Sequence, residues 1–488
     1  MTPSSAGAYP YRFERTALTS ELAGRWESLE PGTDSGATAA VAGRLRSVRS
    51  HGKAAFADLE DPEGRIQLFG QLDVLGEEGF EGFTHLGVGD IVGAEGEVIR
   101  TRRGELSVRV ATVTLLAECL RSMPEKWHGM SDVETRYRQR YLDLIVNPEA
   151  RRIVEARAVL NAAARRFLEQ RGFVEVETPL LHHVASGAVA RPFVTHHNAL
   201  DLDLYLRIAP ELYLKRLLVG GIERVYELNR SFRNEGVSAR HNPEFTMLEA
   251  YQAFVDFEDT MSLVEDLVKE IALAVTGSLR LDIQGHALDL EQPFERITMF
   301  EAIERATGAD IEPAWKSPDP SGPLGSIARE LEVEVRPGWG PGKIVAEIFD
   351  SRAERSLIAP TYVVGFPKEV SPLAKDHRSI EGFTEHADLI LGGVEIAPMY
   401  SELNDPTEQR RRFEEQAKAR AGGEHDVAMP DEEFLEALAY GMPPAGGFGL
   451  GVDRLLMFLL GASSLREVIL FPAMRPEAAD PTPEEPGT

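Results

Sequence analysis

The sequence has one cysteine, no long apolar run and far fewer basic than acidic side chains. Cys119 cannot form a disulfide within the chain or a zinc site of several thiolates, which fits a reducing cytoplasm. Runs of about 18 apolar residues are absent, as is an opening basic segment followed by an apolar one, which argues against a membrane span and a cleaved secretory signal. The formal net charge of −27 by itself argues against a nucleic-acid partner.

What is present is an ordinary globular composition, 43% hydrophobic and 27% charged. An N-terminal arm over residues 1–37 is polar and rich in Gly, Ser and Pro. Five short β segments follow, over residues 38–46, 54–59, 65–69, 90–98 and 105–116. This spacing predicts a small barrel over residues 38–120, with the OB-fold as the leading candidate and a small sandwich without a binding role as the alternative.

The pattern becomes helical after a connector over residues 121–150. One apolar stripe is formed by Ile153, Ala156, Leu160, Ala163 and Phe167. The helix is expected to stop at Gly172, and an extended segment closed by Pro179 follows. Strands and helices then mix without a regular rhythm, which predicts an α+β domain on an antiparallel sheet over residues 151–476. An acidic, Pro-rich tail over residues 477–488 is expected to be disordered.

Residues 225–254 carry the most informative pattern, two strands joined by a polar loop. Side chains alternate along a strand, so Phe245, Met247, Glu249 and Tyr251 share one face and resemble a pocket wall. Arg233, on the other strand, is suited to clamp a phosphate or a carboxylate. The alternative is a solvated hairpin whose surface charges pair with each other.

Two further stretches suggest a ligand with phosphates. Glycines at 447, 449 and 451 would let the backbone approach a ligand closely, and Arg454 would add a fixed positive charge, although most glycine-rich loops are turns. Gly392-Gly393 predicts a hairpin turn flanked by Asp388 and Glu395. Two such carboxylates suit Mg²⁺ carried in on phosphates, or they are rim carboxylates with no metal.

Together these stretches resemble class II aminoacyl-tRNA synthetases: residues 232–245 are similar to motif 2, residues 447–454 to motif 3, and residues 151–179 to motif 1. Further segments are similar to bacterial lysyl-tRNA synthetases of subclass IIb in particular: residues 136–144, 207–217, 244–251, 401–405 and 470–476. This more specific resemblance extends over residues 11–476. The resemblance implies an OB-fold anticodon-binding domain and an antiparallel-sheet catalytic domain in a cytoplasmic homodimer. It also implies activation of L-lysine by ATP with Mg²⁺, and transfer of lysine to the 3′ end of tRNA(Lys).

The resemblance also implies roles for individual side chains. Arg233 and Arg454 would be the catalytic residues. ATP would be bound by Arg233, Glu235, His241, Phe245, Glu395, Gly451 and Arg454. Lysine would be bound by Glu211, Arg233, Glu249, Tyr251, Tyr400 and Glu402. Asp388 and Glu395 would hold Mg²⁺. The anticodon would be read by Phe56, Gln67 and Glu105.

Two segments depart from the family pattern. Ala397-Pro398-Met399 stands where relatives usually carry a small polar run such as Gly-Asn-Gly, so a reshaped pocket floor is expected. His386-Ala387-Asp388 stands where they usually have Arg-Phe-Glu, which shortens one metal ligand and removes a cation. Two alternatives therefore stay open: a paralogue that activates a lysine analogue or loads another acceptor, and a non-catalytic RNA-binding protein.

Overall fold

The computed structural model describes residues 9–124, 130, 132–185, 187, 190–421 and 430–476. The tail predicted over residues 477–488 and the first eight residues of the predicted arm lie outside this part of the chain. The chain divides into two compact units, Met1–Gly129 and Met130–Thr488.

The first unit is built on a closed five-stranded barrel. Its strands are β1 (Asp34–His51), β2 (Ala54–Glu60), β3 (Arg65–Gln71), β4 (Ile91–Arg100) and β5 (Leu106–Ala117). They follow each other around the barrel in the order β1-β2-β3-β5-β4, with β3 and β5 parallel and the other neighbours antiparallel. Each strand lies at a segment where the sequence predicts one, and the OB-fold prediction is confirmed.

Two helices of this unit were not predicted. They are α1 (Thr19–Arg25), within the predicted arm, and α2 (Leu72–Thr84), between β3 and β4. Each adds one fully covered side chain to the barrel core, Leu22 from α1 and Phe83 from α2. A Cβ added to Gly70 of β3 would lie 3.0 Å from the Phe83 ring, so this glycine lets α2 lie directly on the barrel.

The second unit contains the remaining strands and helices. Its strands are β6 (Val174–Glu175), β7 (Leu181–His182), β8 (Val194–His197), β9 (Leu202–Leu206), β10 (Arg224–Phe232), β11 (Glu244–Ala253), β12 (Arg280–Ile283), β13 (His286–Asp289), β14 (Glu295–Thr298), β15 (Thr361–Pro367), β16 (Phe383–Leu391), β17 (Val394–Ser401) and β18 (Ala445–Gly451). Its helices are α3 (Val133–Arg138), α4 (Arg140–Val146), α5 (Pro148–Glu169), α6 (Glu211–Val219), α7 (Phe257–Thr276), α8 (Met299–Thr307), α9 (Glu312–Trp315), α10 (Ser321–Glu330), α11 (Pro341–Ile348), α12 (Pro406–Ala421), α13 (Glu432–Ala439), α14 (Val452–Leu459) and α15 (Leu465–Val468).

Eight of these strands form one large sheet in the order β14-β15-β16-β17-β18-β11-β10-β6. Neighbours are antiparallel except at the two ends, where β14 runs parallel to β15 and β6 runs parallel to β10. This arrangement confirms the α+β class and the antiparallel-sheet prediction. A smaller sheet orders its strands β7-β9-β8, and β12 pairs with β13.

One face of the large sheet packs against helices α5, α7 and α14. The apolar stripe predicted for α5 faces this core, where Leu160 and Ala163 are fully buried. Leu248 of β11 and Phe448 of β18 reach the same core from the sheet. Because side chains alternate along a strand, the residues next to these two point to the opposite face, where the site lies.

Two of the segments that carry the family resemblance, residues 136–144 and 470–476, are joined by hydrogen bonds. The Arg140 guanidinium, 2% exposed, donates to the carbonyl oxygens of Arg466 and Leu470 at 2.7 and 3.0 Å and pairs with Asp143 at 2.7 Å. Arg138 donates to the carbonyl oxygen of Arg475 at 2.6 Å. Residues 136–144 and 470–476 therefore fasten the two ends of the second unit together.

Candidate active site

A cavity of about 500 Å³ opens on the face of the large sheet away from α5 and α7. Of the thirteen residues to which the resemblance gives a role in catalysis or in binding ATP, lysine or metal, twelve line it: Glu211, Arg233, Glu235, His241, Phe245, Glu249, Tyr251, Asp388, Glu395, Tyr400, Gly451 and Arg454. Glu402 does not border the cavity; its side chain is 1% exposed and lies behind the wall. The sequence motifs, far apart in the chain, are thus brought to one place.

The wall of the cavity is strand β11, and part of its floor is the backbone of β18. Met247, Glu249 and Tyr251 lie opposite Gly451, Gly449 and Gly447 in the register of the two strands. Gly449 and Gly451 border the cavity, whereas a Cβ on Gly447 would collide with the Tyr251 ring and with Glu402 Oε1. The glycines predicted to let backbone approach a ligand therefore leave room for large side chains on the strands beside them.

At one end of the cavity, the Arg233 guanidinium lies over the Phe245 ring, 5.1 Å from its centroid. Burial lowers the pKa of Arg233, and nearby carboxylates, Glu395 first, oppose that shift. The Arg233 Nε atom is buried and has no hydrogen-bond partner among the described residues. A cation with a buried, unused donor beside an aromatic ring is suited to an anionic ligand that carries a flat ring.

Arg454 and His241 lie at the same end. Arg454 Nη1 is 3.2 Å from Glu395 Oε1 and donates to the Glu395 carbonyl oxygen at 2.9 Å. The His241 Nδ1 atom is 3.0 Å from Ser238 Oγ. Burial lowers the pKa of His241, and the positive charge of Arg454 adds to this, so the neutral ring is favoured.

Asp388 and Glu395 have the donor chemistry for Mg²⁺. Both line the cavity, and each has a second carboxylate oxygen for which no hydrogen bond is found among the described residues. Mg²⁺ is usually held by one or two carboxylates together with substrate phosphates and waters, so two are sufficient here. These residues fit the metal that the resemblance implies.

The ring nitrogens of His386 contact Asp388 and Ser371 at the edge of this carboxylate pair. Its Nε2 atom is 2.8 Å from Asp388 Oδ1, and its Nδ1 atom is 2.8 Å from Ser371 Oγ. The ring also stacks between Phe366 and Tyr400, with centroids 3.7 and 4.5 Å away. Burial raises the pKa of Asp388, and His386 counters part of that rise. His386 thus orients the carboxylate in the segment where relatives usually carry an arginine.

The other end of the cavity is acidic. Tyr251 Oη donates to Glu249 Oε2 at 3.1 Å, and Glu249 is 3% exposed. Burial, with the charge of Glu211 adding to it, raises the pKa of Glu249 to about 8. Glu249 is therefore largely protonated at neutral pH, and Glu211 and Glu402 are left as the candidate anions.

One residue at this end was missed by the sequence analysis. The Lys215 side chain is fully buried, and its Nζ atom lies 2.6 Å from Glu211 Oε1 and 2.5 Å from Glu402 Oε2. A signal for it exists, because Lys215 stands four residues after Glu211 among Leu212, Leu214 and Leu218, which are all buried in helix α6. A lysine on the apolar side of a helix requires a buried partner.

At residues 397–399, where the sequence departs from the family pattern, the structure shows which of the changed residues can reach the cavity. Met399 is fully buried in the core on the opposite face of the sheet, so of Pro398 and Met399 only Pro398 borders the cavity. The pairing of β17 with β18 covers Met399, Tyr400 and Ser401, and the register with β16 shifts just before Ala397. Pro398 therefore lies next to an irregularity and beyond the pairing with β18, where a missing N–H is tolerated.

The three anticodon candidates lie on the barrel of the first unit. The rings of Phe56 and Phe69 stack across β2 and β3, with centroids 4.9 Å apart and planes 6° apart. Gln67 Oε1 accepts a hydrogen bond of 3.0 Å from Ser107 Oγ, and Glu105, two residues before Ser107, is exposed. Phe69 was missed, although it lies two residues after Gln67 and therefore on the same face of β3. The aromatic surface consists of two stacked rings.

The chain matches known proteins over nearly its whole length. Residues 132–475 match the family model "tRNA synthetases class II (D, K and N)", and residues 39–116 match the "OB-fold nucleic acid binding domain". The chain is 52% identical to the lysine–tRNA ligase of Moorella thermoacetica over 97% of this chain and 95% of that protein. It is 50% identical to that of Syntrophomonas wolfei subsp. wolfei, over 96% and 93%. Among the described residues, no helix combines the length and apolar character that a membrane crossing requires.

Proposed function

We propose roles for the residues of the cavity from one premise: this chain belongs to the lysine–tRNA ligases of the class II aminoacyl-tRNA synthetase family. The enzyme activates L-lysine with ATP to lysyl-adenylate and transfers the lysine to tRNA(Lys). The observation that carries the residue roles is that the Arg233–Phe245 pair and the acidic Glu211 and Glu249 border the same cavity.

ATP and the carboxylate of lysine meet at the basic end. Phe245 stacks on the adenine ring, and the unused Nε–H side of Arg233 holds the α-phosphate and the lysine carboxylate. His241 and Arg454 contact the outer phosphates, and Glu235 and Gly451 border the nucleotide. The lysine carboxylate attacks the α-phosphorus and pyrophosphate leaves, so negative charge develops on the phosphoryl oxygens beside two arginines. Positioning and electrostatic stabilisation supply the catalysis, and no protein nucleophile is required.

Asp388 and Glu395 would hold Mg²⁺. The ion would supply positive charge that offsets the negative charge of the ATP phosphates. His386 orients Asp388, and Arg454 orients Glu395, so each ligand is fixed by a neighbouring side chain.

The two ammonium groups of lysine are held at the acidic end. Glu211 accepts the α-ammonium, and Glu402 with Tyr251 accepts the ε-ammonium, while Glu249 and Tyr400 complete the wall. A desolvated ammonium without an anionic partner costs several kcal/mol, so these carboxylates select lysine over apolar amino acids of the same length. They also repel acidic side chains such as aspartate.

The barrel of the first unit binds the anticodon. The ring of Phe56, supported from beneath by Phe69, offers a stacking surface for an unpaired base. Gln67 and Glu105 offer hydrogen bonds to base edges. An overall acidic protein can bind RNA in this way because stacking and base contacts are local.

A homodimer in the cytoplasm is part of the proposal. Exposed apolar side chains are concentrated between residues 154 and 202, on α5, on β6 to β9 and on the loops between them. They are Val154, Val159, Val174, Leu180, Leu181, Val194, Leu200 and Leu202. Three of these strands, β7, β9 and β8, belong to one small sheet, and exposed apolar side chains on such an element are favoured at an interface between subunits.

Amino-acid-dependent exchange of pyrophosphate into ATP, followed by charging of tRNA(Lys), tests the proposal. Lysine should support exchange well above β-lysine, ornithine and hydroxylysine; the analogues are included because Pro398 borders the cavity. An Arg233→Gln variant should lose exchange while keeping its thermal stability, because no side-chain hydrogen bond of Arg233 to the described residues is found. Arg233→Gln with wild-type exchange would contradict the assigned role, and a wild-type protein without lysine-dependent exchange would contradict the function.

A further inference from the structure

Lys215 is a buried ammonium placed between the two carboxylates that are proposed to bind the substrate. It lies one helical turn after Glu211 on α6, and its Nζ atom is within 2.6 Å of an oxygen of Glu211 and 2.5 Å of an oxygen of Glu402. Its side chain has no exposed surface, and that of Glu402 is 1% exposed. One cation therefore holds both anions in the absence of substrate.

Glu402 meets Lys215 through one oxygen, Oε2, in an ion pair. Both carboxylate oxygens are buried and neither has a hydrogen-bond partner among the described residues, and no ion pair to Oε1 is found there either. That oxygen lies on the side of Gly447 and the Tyr251 ring, since a Cβ on Gly447 would collide with both. Lys215 thus leaves one oxygen of Glu402 for a second ammonium, on the side of the cavity wall.

The groups that face this pair come from three elements. Glu211 lies on α6, Glu249 and Tyr251 lie on β11, and Tyr400 lies on β17 just before Glu402. All of them are neutral or negative, so Lys215 is the cation that meets Glu402 directly. Burial raises the pKa of Glu402 above its usual value; the charge of Lys215 opposes that rise, and the charge of Glu211 adds to it.

We propose that Lys215 is a positioning residue for the amino acid: its ammonium holds Glu211 and Glu402 together as anions, ready to receive the two ammonium groups of lysine. The proposal rests on the roles assigned above to these two carboxylates. Without the cation, two carboxylates this close would repel each other and one would take up a proton at neutral pH. The cavity would then lose the charge that attracts the ε-ammonium.

A Lys215→Met variant removes the charge and keeps an unbranched side chain that is one heavy atom shorter. Its lysine KM in pyrophosphate exchange should rise about tenfold or more at pH 7, while its ATP KM stays within about twofold of the wild-type value. The pH below which the lysine KM rises should also move upward by about one unit or more, because a neighbouring cation no longer stabilises the carboxylate ions. Raising the pH should therefore partly restore lysine binding in this variant.

Three controls separate this role from a structural one. Lys269→Met removes a lysine that pairs with Glu265 at the same i,i+4 spacing on α7, and it should change neither the lysine KM nor its pH profile. Lys215→Arg keeps the charge and should keep the wild-type pH profile. In a Glu402→Gln background, Lys215→Met should add less than about threefold to the lysine KM, because the residue it acts through is already neutral.

The outcomes discriminate between the proposals. A Lys215→Met enzyme whose lysine KM and pH profile match the wild type overturns the role of Lys215 and leaves the function standing. Equal increases in lysine and ATP KM without a change in pH profile would mean a structural role only, and would also overturn it. If Lys215→Met does not fold, Lys215→Gln replaces it, both alone and in the Glu402→Gln background. A shifted pH profile in Lys215→Arg, or an effect of Lys215→Gln on the lysine KM that is equally large in both backgrounds, overturns the proposal.

Discussion

Replacing Gly447 by alanine should weaken the binding of lysine and leave the binding of ATP unchanged. Gly447 lies in β18 opposite Tyr251 of β11 and opposite Tyr400 of β17. A methyl group there would collide with the Tyr251 ring and with Glu402 Oε1. Neither neighbour can yield easily, since Tyr251 is 4% exposed and hydrogen-bonded to Glu249, and Glu402 is held by Lys215.

The size of the effect follows from the cost of overpacking. An added methyl group in a well-packed region usually costs about 1–3 kcal/mol, because side chains must leave their preferred positions. If the displaced side chains are those that bind the ε-ammonium, binding loses a similar amount. Since about 1.4 kcal/mol corresponds to a factor of ten, the lysine KM of Gly447→Ala should rise by about 5- to 150-fold.

Steady-state pyrophosphate exchange measures both substrates, and thermal unfolding measures stability. The ATP KM of Gly447→Ala should stay near the wild-type value, because the atoms nearest to the added methyl group belong to Glu402 and Tyr251, at the acidic end of the cavity. Gly325→Ala serves as the control: a Cβ at this position of helix α10 meets nothing within 4 Å, so both KM values should be unchanged and stability should rise by up to about 1 kcal/mol. A wild-type lysine KM in Gly447→Ala would refute the placement of Glu402 and Tyr251 in the lysine pocket.

Three further substitutions probe the rest of the proposal. Glu402→Gln should raise the lysine KM about tenfold or more, since it removes the anion for the ε-ammonium; wild-type lysine activation would rule that role out. Phe56→Ala should raise the tRNA KM in charging by about tenfold and leave pyrophosphate exchange unchanged, and a loss of exchange would show instead a general folding defect. Glu249→Gln should make stability less dependent on pH. Between the usual carboxyl pKa and about 8 the native state holds a proton that the unfolded chain has lost, so wild-type stability falls as the pH rises through that interval. The variant should therefore gain roughly 1–3 kcal/mol relative to the wild type between pH 6 and 9 in thermal unfolding, and parallel pH profiles would contradict a protonated Glu249.

Features set by short-range patterns were predictable from the sequence. Alternation placed Phe245, Met247, Glu249 and Tyr251 on one face of β11, and all four border the cavity. Gly392-Gly393 takes positive φ angles of 60° and 69° and joins β16 to β17, as a two-residue hairpin turn requires. In both cases the geometry follows from neighbouring residues alone.

Features that depend on contacts between distant segments were not predictable in this way. In the sequence, Lys215 has the pattern of an ordinary helical residue. Its partner Glu402 directly follows β17, far along the chain, and meets Lys215 of α6 only in the folded protein. Helix α2 was missed for a different reason: Gly76, Gly79 and Gly82 weaken its helical signal, and Gly76 has a non-helical φ of 73°. The helix is stabilised because Phe83 packs in the barrel core, and this tertiary contact outweighs the weak local helix propensity.

Residues 397–399 differ from the family pattern, and the alternation of side chains along β17 determines which of them border the cavity. Met399 and Ala397 point into the core, so they change packing on the far side of the sheet and leave the lysine pocket alone. Pro398 borders the cavity opposite Asp388, and it replaces a polar position by a ring without a hydrogen-bond donor. The carboxylates Glu211 and Glu402, which are proposed to bind the two ammonium groups, do not belong to the exchanged segment. Any change in amino-acid range should therefore appear as weaker discrimination among lysine analogues with the same two ammonium groups, whereas the preference for two positive charges persists.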